Sequence, residues 1–279
     1  MHLKSYRYPL LNNAMWLRQK YEVEGLSTKQ IAPLVGATSS NSVRQVLIRH
    51  DIRVRTIGEG LTHKREDDGF VINHDVIEGC LLGDAGLRSS NKQSKYANAY
   101  FYKRNKYYDH ICYVAKLLFP QHWSKAVKET VEKYKSSPYT LFSIRSLSYS
   151  ALNSYYERWY PRGIDRIKVV PEDLVLTPVV LLHWFLDDGS SYWRRKNSPT
   201  KQVHVTLSSE SFSLYEHLFL KDLLRKTFDI KTSIKSISWG SGCRLEIPQS
   251  QSTEFFRIIG DAPVPSLSYK WKQTPVPLA

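Results

Sequence analysis

A chain of 279 residues with a formal charge of +14 and a pI near 9.6 is composed to hold a polyanion by counterion release. Basicity alone does not separate DNA from RNA or anionic membrane, but no apolar run approaches the length of a transmembrane helix and Met1 to Leu11 lacks a signal-peptide core, which predicts a soluble intracellular protein with no membrane partner. The three cysteines, Cys80, Cys112 and Cys243, are too scattered for a disulfide framework or a zinc ribbon, and the nine histidines show no metal-ligand spacing.

Residues 1–57 form the first predicted unit. Leu10, Ala14, Leu17 and Tyr21 recur at i, i+4, i+7 and i+11, which predicts an amphipathic helix. Ser27-Thr28-Lys29-Gln30 reads as a capping box before a second helix that Pro33 shortens or bends, and Gly36 supplies a turn. Asn41 to Arg49 form a third helix, with Val43, Val46 and Leu47 facing inward and Asn41, Arg44, Gln45 and Arg49 projecting out. The arrangement resembles a helix-turn-helix whose last helix enters the major groove. Nine Lys/Arg against three Asp/Glu in this stretch favour DNA over protein as its partner. Ile52 to Arg55 either pack or lie along a groove, and the polar, glycine-bounded residues 58–72 predict a linker.

Two apolar helices then end on an acid and a turn: Ile77-Glu78-Gly79-Cys80-Leu81-Leu82-Gly83-Asp84-Ala85-Gly86, and Leu181 to Leu186 followed by Asp187-Asp188-Gly189. A carboxylate at a helix C-terminus faces the negative end of the macrodipole, so a pair of them points to a cation site. Asp84 and Asp188 lie 104 residues apart, and Lys168 and Lys270 lie 102 apart. This spacing predicts an internal duplication, with repeats over 73–170 and 171–279. The pattern after each motif agrees. The first is followed by a strand (95–103), a helix (107–119), two strands (125–134, 139–145) and a helix (147–159); the second by strands (191–196, 201–207), a helix (211–228), strands (230–237, 244–247) and a helix (251–259). Gln202, His204 and Thr206 alternate with Val203, Val205 and Leu207, and Lys231, Ser233 and Lys235 with Ile230, Thr232 and Ile234, as expected of antiparallel sheets with one face toward DNA.

These residues resemble the LAGLIDADG homing endonucleases of the single-chain, two-motif, intron-encoded type. The likeness rests on Leu81-Leu82-Gly83-Asp84-Ala85, Leu176-Thr177-Pro178 leading to Trp184-Phe185-Leu186-Asp187-Asp188-Gly189, Lys168-Val169-Val170-Pro171 and Tyr269-Lys270. Ala85 stands where the first motif usually has glycine. His183 and Asp187 stand where small residues are preferred, so close helix approach is expected to rest on Gly79 and Gly83. The resemblance implies an α+β fold, a pseudo-symmetric duplicated αββαββα unit with antiparallel DNA-binding sheets, beside the small all-α domain.

It further implies a monomer that makes a staggered double-strand break in a long double-stranded DNA target. Asp84 and Asp188 would bind metal, each acting at one strand, while Lys168 and Lys270 polarise solvent or stabilise the transition state. Oxygen ligands favour Mg2+, with Mn2+ able to substitute. Candidate DNA contacts are Asn41, Arg44, Gln45, Arg49, Arg88, Arg194, Arg195, Lys196, His204, Lys231, Lys235 and Arg244. Two other functions are compatible: a catalytically inactive DNA-binding regulator, and an intron maturase that binds the RNA of its host intron.

Overall fold

In the computed structural model the chain divides into two units, residues 1–66 with 92–97 and residues 67–91 with 98–279. The residues described are 8–55, 68–89, 98–135, 137–161, 167–194, 202–236 and 242–272.

The first unit is all-helical. A 3-10 turn at Pro9–Asn12 leads into α1 (Ala14–Arg18), whose first N–H groups are met by the Asn13 side chain accepting from the Trp16 N–H at 3.0 Å. The helix widens into a π-turn over Gln19–Val23. Because the chain before α1 is a tighter helix, Leu11 enters the core and Leu10 is left exposed. Ser27 and Gln30 close the capping box at the start of α2 (Thr28–Leu34), which stops one residue after Pro33. Gly36 makes the turn with φ +70°. In α3 (Ser40–Arg49), Val43, Val46 and Leu47 join Leu17, Tyr21, Ile31 and Ile52 in the core. Ile52 to Arg55 pack: the Arg55 guanidinium lies over the Tyr21 ring at 3.9 Å and donates to the carbonyls of Tyr21, Gly25 and Leu26. Its charge is thus consumed inside the unit.

The second unit begins earlier than the sequence predicts. Residues 68–72, assigned above to a linker, belong to its packing: Phe70 sits against Phe101, Phe119 and Tyr149, and the Asp68 carboxylate accepts from the Leu147 N–H at 2.6 Å. A Phe and an Ile in a charged stretch were the available signal, outweighed by the polar residues before them.

Two four-stranded antiparallel sheets follow the same plan. After α4 (His74–Leu82), strands β1 (Gly86–Ser89), β2 (Ala99–Asn105), β3 (Lys128–Tyr134) and β4 (Ser137–Arg145) take the order β1-β2-β4-β3, with α5 (Tyr108–Leu118) and the short α6 (Trp123–Ala126) between the hairpins and α7 (Asn153–Trp159) at the end. After α8 (Pro178–Asp188), strands β5 (Gly189–Arg194), β6 (Gln202–Ser208), β7 (Ser233–Ser236) and β8 (Cys243–Ile247) take the order β5-β6-β8-β7, with α9 (Leu214–Phe228) between and α10 (Gln249–Ile259) last. An identical strand order twice is the expected duplication. The four-residue β1, too short for a clear alternation, and the one-turn α6, where the sequence pattern starts a strand at 125, are elements that the pattern does not predict.

One face of each sheet is apolar and covered by helices. Leu87, Phe101 and Ile144 in the first sheet, and Val203, Val205, Leu207, Leu245 and Ile247 in the second, are buried there. The register puts Arg88, Tyr100, Tyr102 and Arg145 together on the opposite face of the first sheet, with the Arg88 guanidinium 5.1 Å from the Tyr102 ring and Arg145 4.0 Å from Tyr100.

The halves join through α4 and α8. At their starts Thr177 donates its hydroxyl to Asp75 at 2.8 Å, and along their length glycines let the backbones meet. A Cβ on Gly79 would come 2.6 Å from the Val180 carbonyl oxygen and 2.7 Å from the His183 Cβ; one on Gly83 would lie 2.4 Å from the Asp187 Cβ. Close approach therefore rests on the first helix, as its sequence implies. Gly79→Ala is expected to force α4 and α8 apart and to cost about 1–3 kcal/mol, read as a fall in Tm of about 2–4 °C for each kcal/mol; an unchanged Tm would show that the contact gives way freely.

Candidate active site

Because α4 and α8 lie side by side with their starts tied together, their C-terminal ends deliver Asp84 and Asp188 to one place. The Asp84 side chain reaches solvent and Asp188 is half-buried. Partial burial raises the Asp84 carboxyl above the usual range, and the Asp187 charge raises it further. Burial, then the charges of Asp84 and Asp187, push Asp188 up to about 7, with Lys168 and Lys103 opposing. Carboxylates raised by burial and by neighbouring carboxylates are the natural ligands of a cation, and the set is all oxygen, which suits a hard divalent ion. Asp84 and Asp188 would supply two ligands, leaving the others to water and a bound phosphate. Among the described residues no group of three His, Cys, Asp or Glu side chains is gathered as a metal cage.

Each motif helix has its own lysine at its C-terminal end. Lys168 donates to the carbonyls of Gly83 at 2.7 Å and Ala85 at 3.3 Å. Lys270 donates to those of Phe185, Leu186 and Asp187 at 3.2, 2.7 and 3.1 Å. These carbonyls lie at and just beyond the helix ends, where most lack an intrahelical partner, so each ammonium supplies donors there and offsets the negative end of the dipole. Burial lowers both amines, Lys270 to about 8, against the pull of the nearby aspartates. The matched 102-residue spacing of the lysines thus has a structural cause in the helix ends, alongside any role at the acids.

Sequence reasoning missed the group beneath the acids. Lys103 is wholly buried in β2 and its ammonium grips both oxygens of Asp187. Asp187 also accepts the backbone N–H of Asp84 at 3.2 Å. His110 lies 3.7 Å from the same carboxylate, but burial and the charges of Lys103 and Lys270 push it down to about 2, so the imidazole is neutral. Lys103 sits where Ala99 and Phe101 set an apolar face, and a charge at such a position was the legible signal. Beside these groups opens a cleft of about 630 Å³, lined in part by Asp84, Asp187, Lys270, Arg104, Tyr139 and Tyr269.

The proposed DNA contacts divide. Asn41, Arg44, Gln45 and Arg49 are exposed along α3, Arg88 and Lys235 are exposed on the polar faces of the two sheets, and Arg244 stands opposite Lys235. His204 is a correction: it is on the polar face but 6% exposed, stacked on Tyr192 and 3.4 Å from Glu246, because a neighbouring ring and carboxylate close over it. Lys231 is another. It precedes β7 and lines a hollow beside α9 with Lys221 and Arg225, away from the polar sheet face. Arg194 ends β5; Arg195 and Lys196 lie outside the described residues.

Comparison with known proteins fits this geometry. The model of the LAGLIDADG DNA endonuclease family matches residues 74–255, from the first residue of α4 into α10. The chain belongs to the LAGLIDADG DNA endonuclease family. An uncharacterised protein of Methanocaldococcus jannaschii is 32% identical over 231 residues, covering 78% of this chain and 80% of that one. A probable intron-encoded endonuclease of Wickerhamomyces canadensis is 22% identical, covering 71% and 83%. Among solved structures, the homing endonuclease I-WcaI bound to its DNA recognition sequence superposes with a TM-score of 0.58 at 20% identity, over 70% of this chain and 84% of that one, which shows the same fold. No helix among the described residues is long and apolar enough to cross a membrane.

The raised Asp188 of this LAGLIDADG site has a measurable consequence. Its folded-state pKa lies above the ordinary carboxylate value, so the native state holds the proton more tightly, and stability from this group falls as pH rises to about 7 and then levels off. Without metal, Asp188→Asn is expected to raise Tm more at pH 8 than at pH 5; an equal change at both would mean that the carboxyl is not strained. Added Mg2+ is expected to stabilise the wild type more than this variant at pH 8.

Proposed function

We propose that the chain is a site-specific homing endonuclease that hydrolyses one phosphodiester in each strand of a long DNA target, leaving a staggered double-strand break. The observation that carries this reading is the delivery of Asp84 and Asp188 to one site by two packed helices. Polar sheet faces rich in arginine and tyrosine, such as that of Arg88, Tyr100, Tyr102 and Arg145, suit contact with phosphates and base edges. The basic charge of the chain supplies the sequence-independent part of the affinity.

In this mechanism the sheets hold the duplex so that a phosphate of each strand faces one of the two acids. Asp84 and Asp188 orient the hydrolytic centre, and a bound Mg2+ would supply charge for the phosphoryl oxygens and lower the pKa of a ligated water. Lys168 and Lys270 hold the motif helix ends and add positive potential next to the reacting phosphates. Asp84→Asn and Asp188→Asn are each expected to abolish double-strand cleavage of a target selected from a randomised duplex library, while binding and far-UV CD remain. Full cutting by either purified variant would overturn the reading.

The N-terminal helices act as an added binding module in this proposal, with the exposed edge of α3 toward a major groove. Residues 1–57 contain neither acid nor lysine of the site, so the chain lacking them is expected to cut still. Its affinity should fall and its footprint shorten on one side of the cut, and the log-log salt slope should shrink by about 0.9 for each phosphate that the module neutralises in the intact protein. An unchanged footprint and slope would assign the module to another partner.

A further inference from the structure

Duplication gives the two halves equivalent strands, helices and acids, but the ion pair beneath the acids, which joins one half to the other, occurs in one direction only. The residue before Asp188 is Asp187, and 104 residues earlier the residue before Asp84 is Gly83. The pairings Leu87↔Phe101 and Ser191↔Val205 make Leu207 of β6 the counterpart of Lys103 in β2. An ion pair in one direction therefore faces a glycine and a leucine in the other.

The charges of the pair reach both acids, but its hydrogen bond reaches Asp84. Asp187 is held by Lys103 through its carboxylate and by Lys270 through its backbone carbonyl at 3.1 Å, so both its side chain and its main chain are fixed. That carboxylate accepts the backbone N–H of Asp84 and occupies the space left by Gly83. Leu207 offers the other half no charge with which to hold Asp188 in the same way. A charge-assisted bond to a fully buried acceptor restrains a backbone more firmly than a neutral one.

Building on the endonuclease reading, we propose that Lys103 and Asp187 are positioning residues which lock Asp84 in place, Asp187 reaching across from the opposite half and Lys103 holding it there, so that the two strands depend unequally on them. Without the ion pair, the strand served by Asp84 loses its alignment while the other keeps it. A small displacement is enough, because hydrolysis needs the acid and phosphate within a fraction of an ångström of the productive geometry.

The test uses the full chain and a supercoiled plasmid bearing its selected target, with each strand labelled separately. Either single substitution would leave a buried charge without its partner. The informative variant is Lys103→Met with Asp187→Asn, which removes both charges and keeps both shapes. Wild type is expected to pass from supercoiled to linear DNA with little nicked circle. The folded double variant is expected to bind with unchanged affinity but to cut one strand at least about tenfold slower than the other, accumulating nicked circle. Equal slowing of both strands, or no slowing, would overturn the proposal and leave the endonuclease reading intact. A wild-type chain that binds its target and leaves it whole under Mg2+ would overturn both. Should the Met/Asn pair fail to fold, Lys103→Leu with Asp187→Gly, which copies Leu207 and Gly83, supports the same comparison and is judged by the same strand ratio.

Discussion

Everything in the second unit depends on how near α4 and α8 come to each other. Gly79 and Gly83 remove the side chains that would keep the backbones apart, and Val180, His183 and Asp187 fill the space. A helix pair held at ordinary spacing would set the two acids further apart and weaken their mutual effect. Close packing also places the sheets, because β1 and β5 leave directly from the ends of these helices. The interface that joins the repeats and the frame of the chemical site are therefore one contact.

Such a contact carries a cost that the surrounding residues offset. The helix ends bring unsatisfied carbonyls and carboxylates together, and lysines answer them: Lys168 and Lys270 at the carbonyls, Lys103 at Asp187. Burial and then neighbouring carboxylates push Asp84 and Asp188 toward the protonated form, Asp187 acting on both. Burial makes each of these charges expensive alone and strongly attached when paired. The pH response of Asp188 and the rigidity of Asp187 are two results of the same crowding.

Much of this was legible in the sequence because it repeats. Two apolar segments ending on an acid, and two lysines at matched spacing, required only the sequence to be found, and strict alternation in β6 gave the buried face of its sheet. The capping box at Ser27 identified α2, and the glycines of α4 identified the packing surface. What was hidden depends on contacts across the fold. Lys103 looks like a strand lysine until the register turns it inward, and His204 looks like a surface histidine until Tyr192 and Glu246 close over it. Lys231 lies two residues outside its strand, a boundary that local pattern does not fix. Phe70 was masked by its polar neighbours, since composition averages over a window and packing does not.

The four side chains on the first sheet have an implication for how recognition changes over time. Arg88 stands opposite Tyr100 and stacks toward Tyr102, while Arg145 stands opposite Tyr102 and stacks over Tyr100. The two guanidiniums are thus braced by a shared pair of rings, and replacing either tyrosine loosens one arginine while removing the cross-strand neighbour of the other. If the proposed endonuclease reads DNA with this face, a lineage adapting it to a new sequence would have to rewrite the quartet as one word rather than exchange its letters singly.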